Sequence, residues 1–174
     1  SGKENFLTTM IYSSFLEYTP EDVNYYIVDF GAETLKMFTS SPYVGDIVTS
    51  SDEEKVRNLF KMLDQTMEER KRLFSDYGGN YQEYCKNSQK PVPCIVVMIN
   101  NYEAYQDEYG EFDDELIVLT RECTKYGIYF LITVNTPNGI RFKLRQNFSF
   151  IYSLQQNSED DYTTILGNVH KTYP

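Results

Sequence analysis

Apolar residues recur along this chain in two rhythms, and the contrast between them lays out the elements. The densest run is Cys94, Ile95, Val96, Val97, Met98 and Ile99, unbroken between Pro93 and the pair Asn100 and Asn101. Its length and β-branched content predict a strand over 93–101. The absence of polar alternation predicts cover on both faces, as in the interior of a parallel sheet. Residues 128–134 read as another fully apolar strand, and 24–31 as a third, where Tyr25, Tyr26, Ile27 and Val28 lead into Asp29 and Gly31. A short strand is expected over 46–49. The alternation from Phe148 to Leu154 predicts a half-exposed edge strand.

Between these runs the apolar spacing changes to three and four. Leu7, Met10, Ile11 and Phe15 predict a helix over 4–17, broken at Thr19 and Pro20. Ser51, three before Glu54, predicts a capping box opening the longest helix, with Val56, Leu59, Phe60, Leu63, Met67 and Phe74 as its inward stripe. Glu68, Glu69, Arg70, Lys71 and Arg72 are expected on its solvated side, paired along the helix. Tyr77, Gly78, Gly79 and Asn80 end it, and a short helix over 81–86 follows. Leu116, Leu119 and Cys123 face inward on a helix over 112–126 that stops at Gly127. Short helices over 140–146 and 158–167 close the series. Helices alternating with buried strands predict an α/β fold, a mostly parallel sheet flanked by helices on both faces. No repeat, low-complexity tract or linker interrupts it, so residues 1–174 are read as a single domain.

Composition narrows the function. A formal net charge of −10 argues against gripping nucleic acid by general electrostatics. No apolar run approaches the roughly 20 residues that span a bilayer, and no signal peptide is recognisable. Cys85, Cys94 and Cys123 have no paired spacing and are expected as free thiols in a reducing, cytoplasmic setting. His170 is the only histidine, which removes most zinc sites and histidine-based triads. Chemistry is therefore sought where the three strong strands end, at Asp29, at Asn100 and Asn101, and at Asn135 and Thr136. Asn and Asp also cap loops, and the residues alone leave both readings open.

Five stretches in this order and spacing resemble an FtsK/SpoIIIE-type P-loop ATPase domain: residues 2–9, 26–31, 68–74, 95–103 and 127–137. They are most similar to the tandem modules of type VII secretion ATPases of the EssC/EccC kind. The resemblance covers almost the whole chain and implies a RecA-like P-loop NTPase fold, truncated at both ends and lacking its P-loop strand. Lys3 matches the lysine that reaches the terminal phosphates. Glu4 stands where a Ser or Thr hydroxyl would hold Mg2+. Asn100 and Asn101 match the acidic pair that binds the metal and activates water, and Asn135 matches the polar sensor after the next strand. Amides take no proton from water and hold Mg2+ less firmly than carboxylates.

The resemblance therefore implies a degenerate module of a secretion motor that retains ATP as its available cofactor, holds Mg2+ poorly and is impaired in hydrolysis. The site residues are Lys3, Glu4, Asn100, Asn101 and Asn135. Partners implied are sibling ATPase modules of the same chain and secreted helical-hairpin substrates, with no nucleic acid and no direct membrane contact by this domain. It would sit in the cytoplasm as part of a membrane-anchored bacterial protein. The alternative is an active ATP-hydrolysing translocation module using Glu4 and Glu103. A DNA-translocating role is disfavoured by the acidic balance. Arg141 or Arg145 is either an arginine finger or a surface charge, and Tyr102, Tyr105 and Tyr109 line either a peptide groove or the core.

Overall fold

The computed structural model describes residues 2–149. The expected strands form as β1 (Val23–Asp29), β2 (Val44–Val48), β3 (Cys94–Asn100) and β4 (Ile128–Ile132). All pair in parallel in the order β2-β1-β3-β4. The long apolar run thus lies inside the sheet, and from Ile95 to Asn100 every residue of β3 is buried. Alternate side chains point to two separate cores. Ile95, Val97 and Ile99 meet the helices of one face, and Val96 and Met98 meet Leu7 and Ile11 on the other.

One face is covered by α1 (Gly2–Glu17) and a 3-10 turn at Thr34–Phe38. Leu7, Ile11 and Ser14 point inward, whereas Met10, expected inside, is 38% exposed because it lies on the flank of the helix. The other face carries α2 (Glu53–Phe74), α3 (Tyr81–Asn87), α4 (Tyr102–Tyr109), α5 (Asp113–Glu122) and α6 (Phe142–Arg145). The six-residue stripe foreseen on α2 is buried throughout, each such side chain contributing about 1.5–3 kcal/mol of apolar burial. Gly127, with φ of 74°, ends the 3-10 turn that continues α5, in the left-handed conformation the stop requires.

The structure corrects several expectations. The residue preceding α2 is Asp52, not Ser51, and no side-chain cap bond forms. The Asp52 carboxylate instead accepts from the Thr49 amide at 3.2 Å and the Thr49 hydroxyl at 3.1 Å, so the box is replaced by a loop closure. Arg70 is not on a solvated face. It is buried, and it donates to the Tyr126 carbonyl at 2.8 Å and the Pro93 carbonyl at 2.5 Å, tying α2 to both neighbours of the sheet's lower end. β4 is half-exposed rather than covered, because among the described residues no strand pairs with its outer edge. The expected edge strand, apart from Phe148 and Ser149, and the helix over 158–167 lie outside the described residues.

Candidate functional site

Parallel register decides what meets at the carboxyl edge of the sheet. Asp29 at the end of β1 pairs with Asn100 at the end of β3, and Ile99 pairs with Ile132 one position short of Thr133. The three strand ends therefore deliver a carboxylate, an amide and a hydroxyl side by side. The Asn100 Nδ2 donates to Asp29 Oδ1 at 3.0 Å and to Glu4 Oε1 at 3.4 Å, while its Oδ1 accepts from the Thr133 hydroxyl at 2.8 Å. That hydroxyl in turn accepts the Asn101 backbone N–H at 2.9 Å. Thr133 can do both because an alcohol carries a donor and two lone pairs.

The carboxylates are fixed from the other side by backbone amides. Asp29, with no exposed surface, accepts from Gly31 at 3.1 Å and from Leu35 at 3.3 Å. Glu4, in the first turn of α1, accepts from Ala32 at 3.2 Å. The Ala32 amide holds the Glu4 carboxyl below its usual range, against the opposing cost of partial burial, and the Asn100 amide adds to the shift. Gly31 makes this closeness feasible: a Cβ there would lie 2.6 Å from Asn100 Nδ2 and 2.9 Å from Glu4 Oε1.

Asn101 and Asn135 make a second tier. Asn101 donates to the Phe30 carbonyl at 3.2 Å and accepts from Asn135 Nδ2 at 3.3 Å. Its backbone lies at φ 65° and ψ 67°, the left-handed region that Asn tolerates better than most residues. Glu103, named in the alternative reading as a substitute acid, sits half-buried in the first turn of α4. Its Oε1 accepts from the backbone amides of Asn135 at 2.7 Å and Thr136 at 3.3 Å, fixing the loop after β4.

Four of the five expected site residues are thus brought together: Glu4, Asn100, Asn101 and Asn135. Lys3 lies half-buried beside Glu4 in the first turn of α1. Arg141 is committed elsewhere, at 2.9 Å from the fully buried Asp113, whose other oxygen accepts from the Tyr102 hydroxyl at 2.7 Å. The tyrosine question resolves to the core: Tyr102, Tyr105 and Tyr109 are buried, with Phe30 stacked 5.9 Å from Tyr105. Sequence reasoning placed Asp29 and Gly31 at a strand end but gave neither a role, and it missed Thr133. Thr133 is hidden because a β-branched residue inside an apolar run reads as strand filler.

Lys3 and the N-terminal turn of a 16-residue helix favour an anionic phosphate, against the charge of Glu4 in the same turn. The acceptor set does not fit a divalent cation, since the Asn100 amide turns its N–H groups, not its oxygen, toward Glu4 and Asp29. Among the described residues no three His, Cys, Asp or Glu side chains are grouped to hold a metal. Both amides are fully engaged, and neither is a base.

Comparison with known proteins places these residues in a family context. Residues 1–165 match the family model for the FtsK/SpoIIIE family. The ESX secretion system protein EccC of Geobacillus thermodenitrificans is 30% identical over 147 residues, 84% of this chain and 10% of that protein. A structure of EssC ATPases 2 and 3 from Geobacillus thermodenitrificans superposes with a TM-score of 0.81 at 26% identity, covering 97% of this chain and 32% of that one. The cytoplasmic domain of EssC gives a TM-score of 0.78 at 30% identity, over 84% of this chain and 29% of its own. The chain spans about a tenth of the length of the curated relatives it matches.

Proposed function

The chain belongs to the FtsK/SpoIIIE family, and on that footing we propose that it is a degenerate ATPase-fold module of a type VII protein secretion motor. It binds nucleotide at the carboxyl edge of its sheet, hydrolyses it poorly, and serves substrate docking or regulation. Residues 1–174 act as one domain, stacked with sibling modules of the same chain and placed on the cytoplasmic side. In that setting secreted helical-hairpin substrates are its external partners. No helix among the described residues is long and apolar enough to cross a membrane.

The observation that supports impaired hydrolysis is the state of Asn100 and Asn101. They stand at the end of the buried strand, beside Glu4 and the start of α1, where the family places its acidic pair. Every polar atom of their side chains is engaged with protein. General-base activation of water contributes typically 10²–10⁴-fold, and an amide supplies none of it. Glu103 is a poor substitute on this reading, since the Asn135 and Thr136 amides tie one of its oxygens to the loop after β4 and only the other is without a partner.

Lys3 and the first turn of α1 bind the terminal phosphates, with Asn135 and Asn101 bordering them. The test is steady-state phosphate release with Mg2+ and ATP, for the wild type and Lys3→Ala, alongside nucleotide affinity by calorimetry. Measurable affinity that falls in Lys3→Ala, with background turnover in both proteins, is the expected result. Turnover that depends on Lys3 would overturn it.

A further inference from the structure

We infer that the Asn100 amide takes the place of a divalent cation between the Glu4 and Asp29 carboxylates, so that the site accepts nucleotide phosphates without metal. The inference rests on the nucleotide-binding reading for its phosphate half only.

Two carboxylates converge on one amide nitrogen, Asp29 at 3.0 Å and Glu4 at 3.4 Å. Anions gathered this closely in a partly dehydrated edge repel unless something between them carries positive charge or donates hydrogen bonds. A bound Mg2+ would do so with oxygen ligands at about 2.0–2.1 Å in octahedral array. Here the two hydrogens of one Nδ2 bridge the pair, while backbone amides of Gly31, Leu35 and Ala32 hold the carboxylates from the other side.

The amide cannot turn over to become a ligand. Its Oδ1 receives the Thr133 hydroxyl, whose own lone pair is taken by the Asn101 N–H. Rotation by half a turn would set Oδ1 against the Asp29 and Glu4 oxygens and leave the hydroxyl hydrogen facing an NH2 group. The Gly31 backbone closes the remaining approach, since even a methyl group there would strike Nδ2 at 2.6 Å.

Asn100→Asp is nearly isosteric and reverses this. One new oxygen keeps the Thr133 hydroxyl, and the other faces Asp29 and Glu4, giving three carboxylates where the wild type has two and a donor. That set needs a cation.

The experiment is a melting and calorimetric titration with MgCl2, in the absence of nucleotide, on the wild type, Asn100→Asp and the double variant Asn100→Asp, Glu4→Gln. Asn100→Asp should melt lower than the wild type in EDTA and recover as MgCl2 is added, with measurable heat of binding. The wild type should not respond, and the double variant should respond less than the single one. Equal response of wild type and Asn100→Asp, no response of Asn100→Asp, or failure of that variant to fold even in MgCl2 would each overturn the inference. A second arm compares ADP affinity of the wild type in EDTA and in MgCl2, where equal affinities are expected and a rise with MgCl2 counts against it. No ADP binding in either buffer sinks the proposed function, while the MgCl2 titration still decides whether the amide replaces a cation.

Discussion

The Glu103 carboxylate lies 2.7 Å from the backbone nitrogen of Asn135, so the first turn of α4 holds the loop that follows β4. The same oxygen accepts from Thr136, and Gly139 passes so close that a Cβ on it would approach Oε1 to 2.2 Å. Glu103→Ala should cost about 1–2 kcal/mol, the net value of charge-assisted hydrogen bonds to amides that water can partly satisfy. Gly139→Ala should loosen the same loop by displacing the carboxylate. Hydrogen exchange reads both: faster exchange at the Asn135 and Thr136 amides is expected, with the centre of β3 unchanged. Unaltered exchange in Glu103→Ala would refute the tie.

Arg70 carries a prediction about stability far from the site. Burial pushes its pKa down, yet it keeps two carbonyl partners and lies 5.8 Å from the Tyr81 ring centre. Arg70→Ala should lower the free energy of unfolding by about 3 kcal/mol, since two carbonyls lose a charged donor and the aliphatic stem leaves a gap. Arg70→Lys should recover only part of it, because one ammonium cannot reproduce the fork. Urea denaturation at neutral pH decides, and a loss under about 1 kcal/mol would place Arg70 among ordinary surface charges.

Asp29 is the buried anchor of the site and tolerates little. In Asp29→Asn one carboxylate oxygen becomes an NH2 that must face either the Leu35 amide or the Gly31 amide and the Asn100 side chain. A cost of about 2–3 kcal/mol is expected from that unsatisfied contact. Gly31→Ala should act on the same network from the opposite side and weaken nucleotide binding. Calorimetry on Gly31→Ala giving wild-type affinity would dissociate the network from the phosphate site.

Acid should reveal the Glu4 contact. Its folded pKa lies below the ordinary value, chiefly through the Ala32 amide. A depressed carboxylate contributes stability fully above its unfolded pKa of about 4.3 and loses it as pH falls through the folded value. Wild type should therefore exceed Glu4→Gln in urea midpoint at neutral pH, and the gap should close on acidification below the ordinary range. A gap that persists or widens in acid would contradict the bond.

How much of this was legible in the sequence depends on whether the signal is local. β3 could be read because an unbroken apolar run has few other uses, and α2 because its stripe keeps one helical period from Val56 to Phe74, about five turns. Arg70 sits on the continuation of that stripe, three beyond Met67 and four before Phe74, so its inward position was available from spacing. The surrounding charges concealed it. No helix bounds were assigned to α4, because tyrosines carry hydroxyls and the cluster read equally as a peptide groove or the core; Tyr102 meets Asp113 and Tyr109 meets the Ser50 carbonyl, which lets them be buried. The Glu4, Asp29 and Asn100 cluster joins positions far apart in the chain. Strand ends suggested where to look, but pairing register chose the partners, and no local pattern encodes register between parallel strands.

Asn101 also constrains which residue could stand in its place. Its left-handed backbone suits asparagine, whereas a longer, unbranched acid pays about 1–2 kcal/mol there. A glutamate at 101 would lower stability through the backbone alone, and an aspartate at 100 would crowd a third carboxylate against Glu4 and Asp29. Either acid would therefore cost stability before it could serve any chemistry.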